Sequence, residues 1–125
     1  MKTLFLIGSG GFIGSVLRYL ISKYIIVNDN SDFPWSTLFI NITGSLLLGC
    51  IWGAGEKNQF LSQDVFLMLS IGLCGGFTTF STFSAESFQL LKNNQYLYLS
   101  LYAAFSVLLG ILAIGTGRYL AKMFY

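Results

Sequence analysis

Thr79, Thr82 and Glu86 fall at i, i+3 and i+7, which makes one polar stripe on any helix that carries them. Phe80 and Phe83, three apart, form an aromatic edge beside it. Hydroxyls donate hydrogen bonds without fixing a full charge, and the rim of an aromatic ring carries partial positive charge. Such groups suit a small, hard anion bound firmly enough to enter and weakly enough to leave. Bond-making chemistry has no such footing. The chain contains no histidine, so the usual proton relay, triad base and imidazole metal ligand are missing. Cys50 and Cys74 stand alone in apolar stretches with no C-x-x-C pair, and read as small hydrophobes.

Other polar residues inside apolar stretches extend this reading. Asn41 has Thr37 one turn before it and Gly44 and Ser45 one turn after, on one face. An intramembrane Asn serves either as an interhelical hydrogen bond, worth about 1 kcal/mol, or as a ligand. Arg18 and Glu86 come out at similar depth, so they either pair or leave Arg18 to draw anions into a vestibule. Arg18 cannot shed its proton, and its burial needs a partner. Tyr102 and Ser106, one turn apart, offer two more hydroxyls for a polar track.

The elements that must carry these groups are membrane helices. Of 125 residues, 54% are hydrophobic and 10% charged, where soluble domains carry roughly 25% charged residues. Four apolar stretches, Thr3–Val27, Trp35–Gly55, Val65–Leu91 and Tyr96–Ala121, each reach the length of about 20 residues that a span requires. The first runs past a leader's apolar core and no A-x-A-like site follows, so it is expected to be a span. Short polar loops are expected at Asn28–Asp32, Glu56–Gln59 and Lys92–Gln95. One transmembrane domain over residues 1–125 leaves no room for an aqueous catalytic lobe, and no enzyme is expected.

Within the third stretch, residues Gly72 to Glu86 are too rich in glycine and hydroxyls for an ordinary membrane helix. Gly75 and Gly76 weaken a helix, and the threonines after them help little. The pattern predicts an interruption at about Gly75–Thr79. Non-helical backbone at that depth survives only where protein buries it or where it lines a polar cavity. Its freed carbonyls need partners, and a small cation is one.

Small residues recur at fourfold spacing: Gly10 and Gly14; Ser45, Gly49 and Gly53; Gly72 and Gly76; Ser106 and Gly110. This predicts close helix packing. The run Gly8 to Gly14 places Ile13 where a dinucleotide loop needs its third glycine, and is read as packing too. An even number of spans puts Lys2, Lys57, Arg118 and Lys122 on one side and Arg18, Lys23 and Lys92 on the other. Orientation follows the cytoplasmic excess of Lys and Arg. Four against three leaves two readings open: uniform insertion, or insertion both ways with an antiparallel homodimer built from the two orientations. Such a dimer would do with two copies what inverted repeats do in larger transporters.

Three segments together resemble the CrcB or Fluc family of fluoride channels. They are Gly72 to Glu86, with its Gly-Gly-Phe-Thr-Thr-Phe-Ser-Thr-Phe core, Gly10 to Tyr19, and Pro34 to Gly44. Ser15 and Ser36 depart from the residues common there, and the fourth stretch matches by hydropathy alone. The resemblance implies an all-α membrane protein of four transmembrane helices with a broken third helix, forming an antiparallel dual-topology homodimer with two pores in the cell membrane. It implies that Phe80 and Phe83 line the ion path, that Asn41 donates to fluoride, and that Thr79, Ser81 and Thr82 supply hydroxyls near the pore. Tyr102 and Ser106 would be the fourth-helix part of the track, with Arg18 and Glu86 in the vestibule. A structural sodium ion, held by carbonyls of Gly75 and Thr78 from both subunits, is also implied, as is passive export of cytoplasmic fluoride. Neither a nucleic acid nor a soluble protein partner is expected. The runner-up is a small multidrug-type proton antiporter, which needs a carboxylate deep in the bundle; the first stretch has none.

Overall fold

A computed structural model describes residues 1–56 and 61–124. Its secondary structure there is helical throughout: α1 (Lys2–Asn28), α2 (Trp35–Gly55), α3 (Gln63–Leu67), a π-helical stretch (Met68–Cys74), α4 (Gly75–Phe77), α5 (Phe80–Lys92) and α6 (Tyr96–Phe124). Residues Gln63–Lys92 form one span made of four pieces, and with α1, α2 and α6 it gives four helical spans long and apolar enough to cross a membrane. The protein is a multi-pass membrane protein. Large apolar side chains such as Phe5, Phe12, Leu97 and Ile111 lie exposed around the outside, where lipid replaces water as the solvent.

The spans start and stop for local reasons. Ser62 caps α3 by accepting from the Val65 N–H. After α5 the chain turns through Asn94 in the left-handed region (φ 57°). The Gln95 N–H then reaches the Leu90 carbonyl and the Asn94 N–H the Leu91 carbonyl, at 2.9 and 3.1 Å. That pair of bonds satisfies the last carbonyls of the helix. Of the expected second loop, Lys57, Asn58 and Gln59 lie outside the described residues.

Two seams hold the bundle: α1 against the Met68–Phe77 segment, and α2 against α6. Both are backbone-to-backbone contacts made possible by missing side chains. A Cβ on Gly72 would lie 2.6 Å from the Ile7 carbonyl, and one on Gly76 2.5 Å from the Gly11 carbonyl. Across the other seam, a Cβ on Gly53 would meet the Arg118 carbonyl at 2.7 Å, and Gly49 and Gly117 are placed against Ile114 and Leu46. Gly10 and Gly14, from the run that mimics a dinucleotide loop, sit against the backbone of Met68 and Leu73. Their role is packing. Gly110 breaks the expected pattern, having only Ser45 Oγ near it, at 3.7 Å.

At one end of the bundle Arg118 Nε donates to Glu56 Oε1 at 2.7 Å, Lys122 pairs with the other carboxylate oxygen, and Lys2 pairs with Asp64 at 3.1 Å. At the other end Gln95 donates to Asp32 at 3.2 Å, and Phe33 stacks edge-on to Tyr98 and Tyr102.

Candidate functional site

The α-helix ending at Phe77 gives way to two extended residues, Thr78 (φ −79°, ψ 157°) and Thr79 (φ −150°, ψ 117°), before α5 begins at Phe80. The glycines that were expected to open the interruption are helical instead. Gly76 stays in register because α1 presses against it through Gly11, a contact that offsets a propensity deficit of about 1 kcal/mol.

What holds the extended residues is Asn41. Its Oδ1 accepts from the Thr79 N–H at 2.8 Å, and its Nδ2 donates to the Thr79 carbonyl at 3.1 Å. The side-chain amide thus pairs with a main-chain amide at both ends, and one Nδ2 proton is left over. Of the two roles its sequence position left open, the geometry displays the interhelical hydrogen bond, with one Nδ2 proton uncommitted. Thr79 also caps α5, its Oγ1 accepting from the Thr82 N–H at 3.2 Å and lying 3.1 Å from Thr82 Oγ1 and 3.4 Å from Ser81 Oγ. Three hydroxyls converge there.

Two cavities flank this knot, and Thr79 lines both. The larger, an open groove of about 370 Å³, is bounded by Asn41, Ser45, Gly75, Thr78, Phe80, Phe83 and Ser106 among others. Phe80 projects from the chain at 79% exposure. Its ring centroid is 5.8 Å from that of Phe83, which is packed in turn 4.9 Å from Tyr102. The smaller cavity, about 240 Å³, gathers Arg18 with the hydroxyls of Ser15, Ser22, Thr37, Thr79 and Thr82.

Arg18 and Glu86 do not pair. Arg18 Nη1 donates to the Thr78 carbonyl at 3.4 Å, while Glu86 accepts from Thr37 Oγ1 and from Tyr102 OH, each at 2.7 Å. The reason is geometric: α2, α5 and α6 converge on the carboxylate and supply two short neutral donors. Tyr102, fully buried, is thus committed to Glu86, whereas Ser106 Oγ is buried with no partner among the described residues. Glu86 also borders a third cavity beside Asp29 and Asp32.

Of the two carbonyls expected to hold a cation, that of Gly75 has lost its helical partner, whereas that of Thr78 already accepts from the Arg18 guanidinium. In an unbroken helix the Thr79 N–H would serve the Gly75 carbonyl, but Asn41 has taken it. The Gly75 face is open, with nothing within 4 Å of where a Cβ would stand. Main-chain oxygens freed in this way are the ligands sodium takes in broken membrane helices.

The matching family model is described as "CrcB-like protein, Camphor Resistance (CrcB)" and covers residues 5–118. Among curated proteins, the chain is 48% identical to a "Fluoride-specific ion channel FluC" of Flavobacterium psychrophilum over 98% of both chains. It is 47% identical to a protein of the same description from Phocaeicola vulgatus, over 98% of this chain and all of the other. It is 43% identical to "Fluoride-specific ion channel FluC 1" of Methanosarcina acetivorans, over 94% and 89% respectively.

Proposed function

Because the chain belongs to the CrcB-like family, we propose that it is a fluoride channel of the cell membrane, passing the ion down its gradient and out of the cytoplasm. It is a transport protein and not an enzyme. The observation that carries this reading is the knot at Thr79. Hydroxyls, a spare amide proton and two phenylalanine rings surround a gap in the helix, and among the described residues no acidic side chain lines the groove beside it. A small anion finds donors there and no repelling charge. Phe80 and Phe83 would turn ring edges to the ion, Asn41 its free Nδ2 proton, and Thr79, Ser81 and Thr82 their hydroxyls. Ser106 would extend the path. Arg18, in the smaller cavity, would raise the local concentration of anions.

The functional unit is proposed to be an antiparallel homodimer with two such paths. Support comes from the near-even charge count, the open groove, and Phe80, which is too exposed in a single chain to wall a conduit. A second copy facing Gly75 would complete a sodium site from the carbonyls of Gly75 and Thr78. Bound there, the ion would neutralise partial negative charge where two backbones meet. The antiporter reading has lost its footing, because the one carboxylate near the path, Glu86, is held by Thr37 and Tyr102.

The test is ion efflux from liposomes holding the purified protein. Fluoride should leave while chloride stays. Proton-coupled uptake of an organic cation, with no fluoride release, would overturn the proposal.

A further inference from the structure

We infer that Ser45 of α2 is a hydroxyl station of the ion path, reaching into the place that Gly110 leaves empty on α6; this rests on the channel reading above. On α6 the track runs Tyr102, Ser106, Gly110 at successive turns, and the third position has no side chain. A Cβ built there would find one neighbour within 4 Å, Ser45 Oγ at 3.7 Å. Ser45 on α2 thus stands beside the bare position one turn beyond Ser106 on α6.

Like that of Ser87, the Ser45 hydroxyl makes no hydrogen bond among the described residues, but of the two only Ser45 lines the groove. A helical serine normally relieves its hydroxyl on a carbonyl one turn back. Ser70 does so with Phe66 at 2.6 Å, and Ser100 with Tyr96 at 2.8 Å. Ser45 makes no hydrogen bond among the described residues, and Ser106 Oγ is buried without a partner. Both line the groove that also holds Asn41, Phe80 and Phe83. Leaving the buried Ser106 hydroxyl unbonded is costly, while Ser45, half-buried, faces the same open groove. A small anion passing between them accepts from each in turn, and Ser45 carries it one helical turn beyond Ser106.

Fluoride efflux from liposomes tests the assignment with the intact, assembled protein. Wild-type protein must release fluoride; if it does not, the channel reading fails and Ser45 is not in question. Given wild-type flux, Ser45→Ala should slow release at least fivefold with unchanged size-exclusion behaviour. Adding Gly110→Ser to Ser45→Ala should recover at least half of that loss, because the hydroxyl returns from the opposite helix. Ser45→Thr keeps the hydroxyl while adding a methyl group, and should stay within twofold of wild type. Should Ser45→Ala fail to assemble, Ser45→Cys, nearly isosteric but a weak donor, should show the same slowing. Wild-type flux in Ser45→Ala or Ser45→Cys overturns the inference. So does a slowed Ser45→Ala whose rate Gly110→Ser leaves unmoved, or a Ser45→Thr as slow as Ser45→Ala.

Discussion

The glycines at the two helix seams and the glycines beside the groove are the same residue in the same kind of helix, yet they do opposite things. Gly14, Gly49, Gly53, Gly72, Gly76 and Gly117 each give up a side chain so that another backbone can occupy its place. Among the described residues, Gly75 lines the groove with nothing within 4 Å of a Cβ, and Gly110 has only the Ser45 hydroxyl near it. The first set closes the bundle. The second keeps one face open, and that face carries every unsatisfied polar group discussed above. Fourfold spacing cannot tell the two sets apart, because it records which residues share a face and not what that face meets.

The widest gap between the sets is expected for substitutions that restore a side chain. Gly14→Val would drive its Cβ into the backbone of Leu73 and Phe77, costing at least the 1–3 kcal/mol typical of over-packing. Loss of monodisperse protein on size exclusion is the expected readout. Gly75→Ala puts its methyl group into open space, so the single-chain fold should be intact, with self-association in detergent weakened. A Gly14→Val protein as stable as wild type would break the comparison at once.

Within the open face, the next largest effects should fall on conduction. Phe80→Ile and Phe83→Ile should each cut fluoride efflux sharply while size-exclusion behaviour stays that of wild type. Phe83→Ile should also lower the melting temperature, since Phe83 packs on Tyr102 and exposed Phe80 does not. Asn41→Ala removes both bonds to Thr79, and stranding those main-chain groups costs about 1–3 kcal/mol. Asn41→Asp keeps the acceptor for the Thr79 N–H and loses the donors, so it should fold better than Asn41→Ala yet conduct no better. Equal stability of the two variants would mean that Asn41 is not the clamp.

The smallest effect is expected far from the groove. Hydrogen bonds from Arg118 and then Lys122 pull the Glu56 carboxyl from 4.5 down to about 2. A lowered carboxyl value stabilises the fold above pH 4.5, and that support is lost as pH falls through about 2. Melting of Glu56→Gln should therefore differ slightly from wild type at pH 7, and the difference should fade in acid. The pair is solvent-exposed, and screening keeps its worth small.

Hydropathy made the spans legible: all four expected stretches lie within observed helical spans, and the second matches Trp35–Gly55 at both ends. Composition placed the interruption at about Gly75–Thr79, and the extended residues are the last two of that range, Thr78 and Thr79. Glycine propensity pointed to Gly75 and Gly76, whereas the decisive term was a donor and an acceptor from another helix, which no local window contains. Glu86 shows the same limit. Depth suggested Arg18 as its partner, but Thr37 and Tyr102, from two different spans, arrive closer. Ser45 was visible both on the polar face of Asn41 and in the small-residue spacing, but that it stands opposite Gly110 on another helix was not.

The two extended residues at Thr78 and Thr79 split one long macrodipole into two shorter ones set end to end. The carboxyl terminus of the first piece bears about half a negative charge and the amino terminus of the second about half a positive one. A continuous rod would show these charges only at its tips, in the headgroups. Here both poles surface at mid-depth, a couple of residues apart: the negative end on the α4 side meets the Arg18 guanidinium at the Thr78 carbonyl, and the positive end on the α5 side offers counter-charge to an anion.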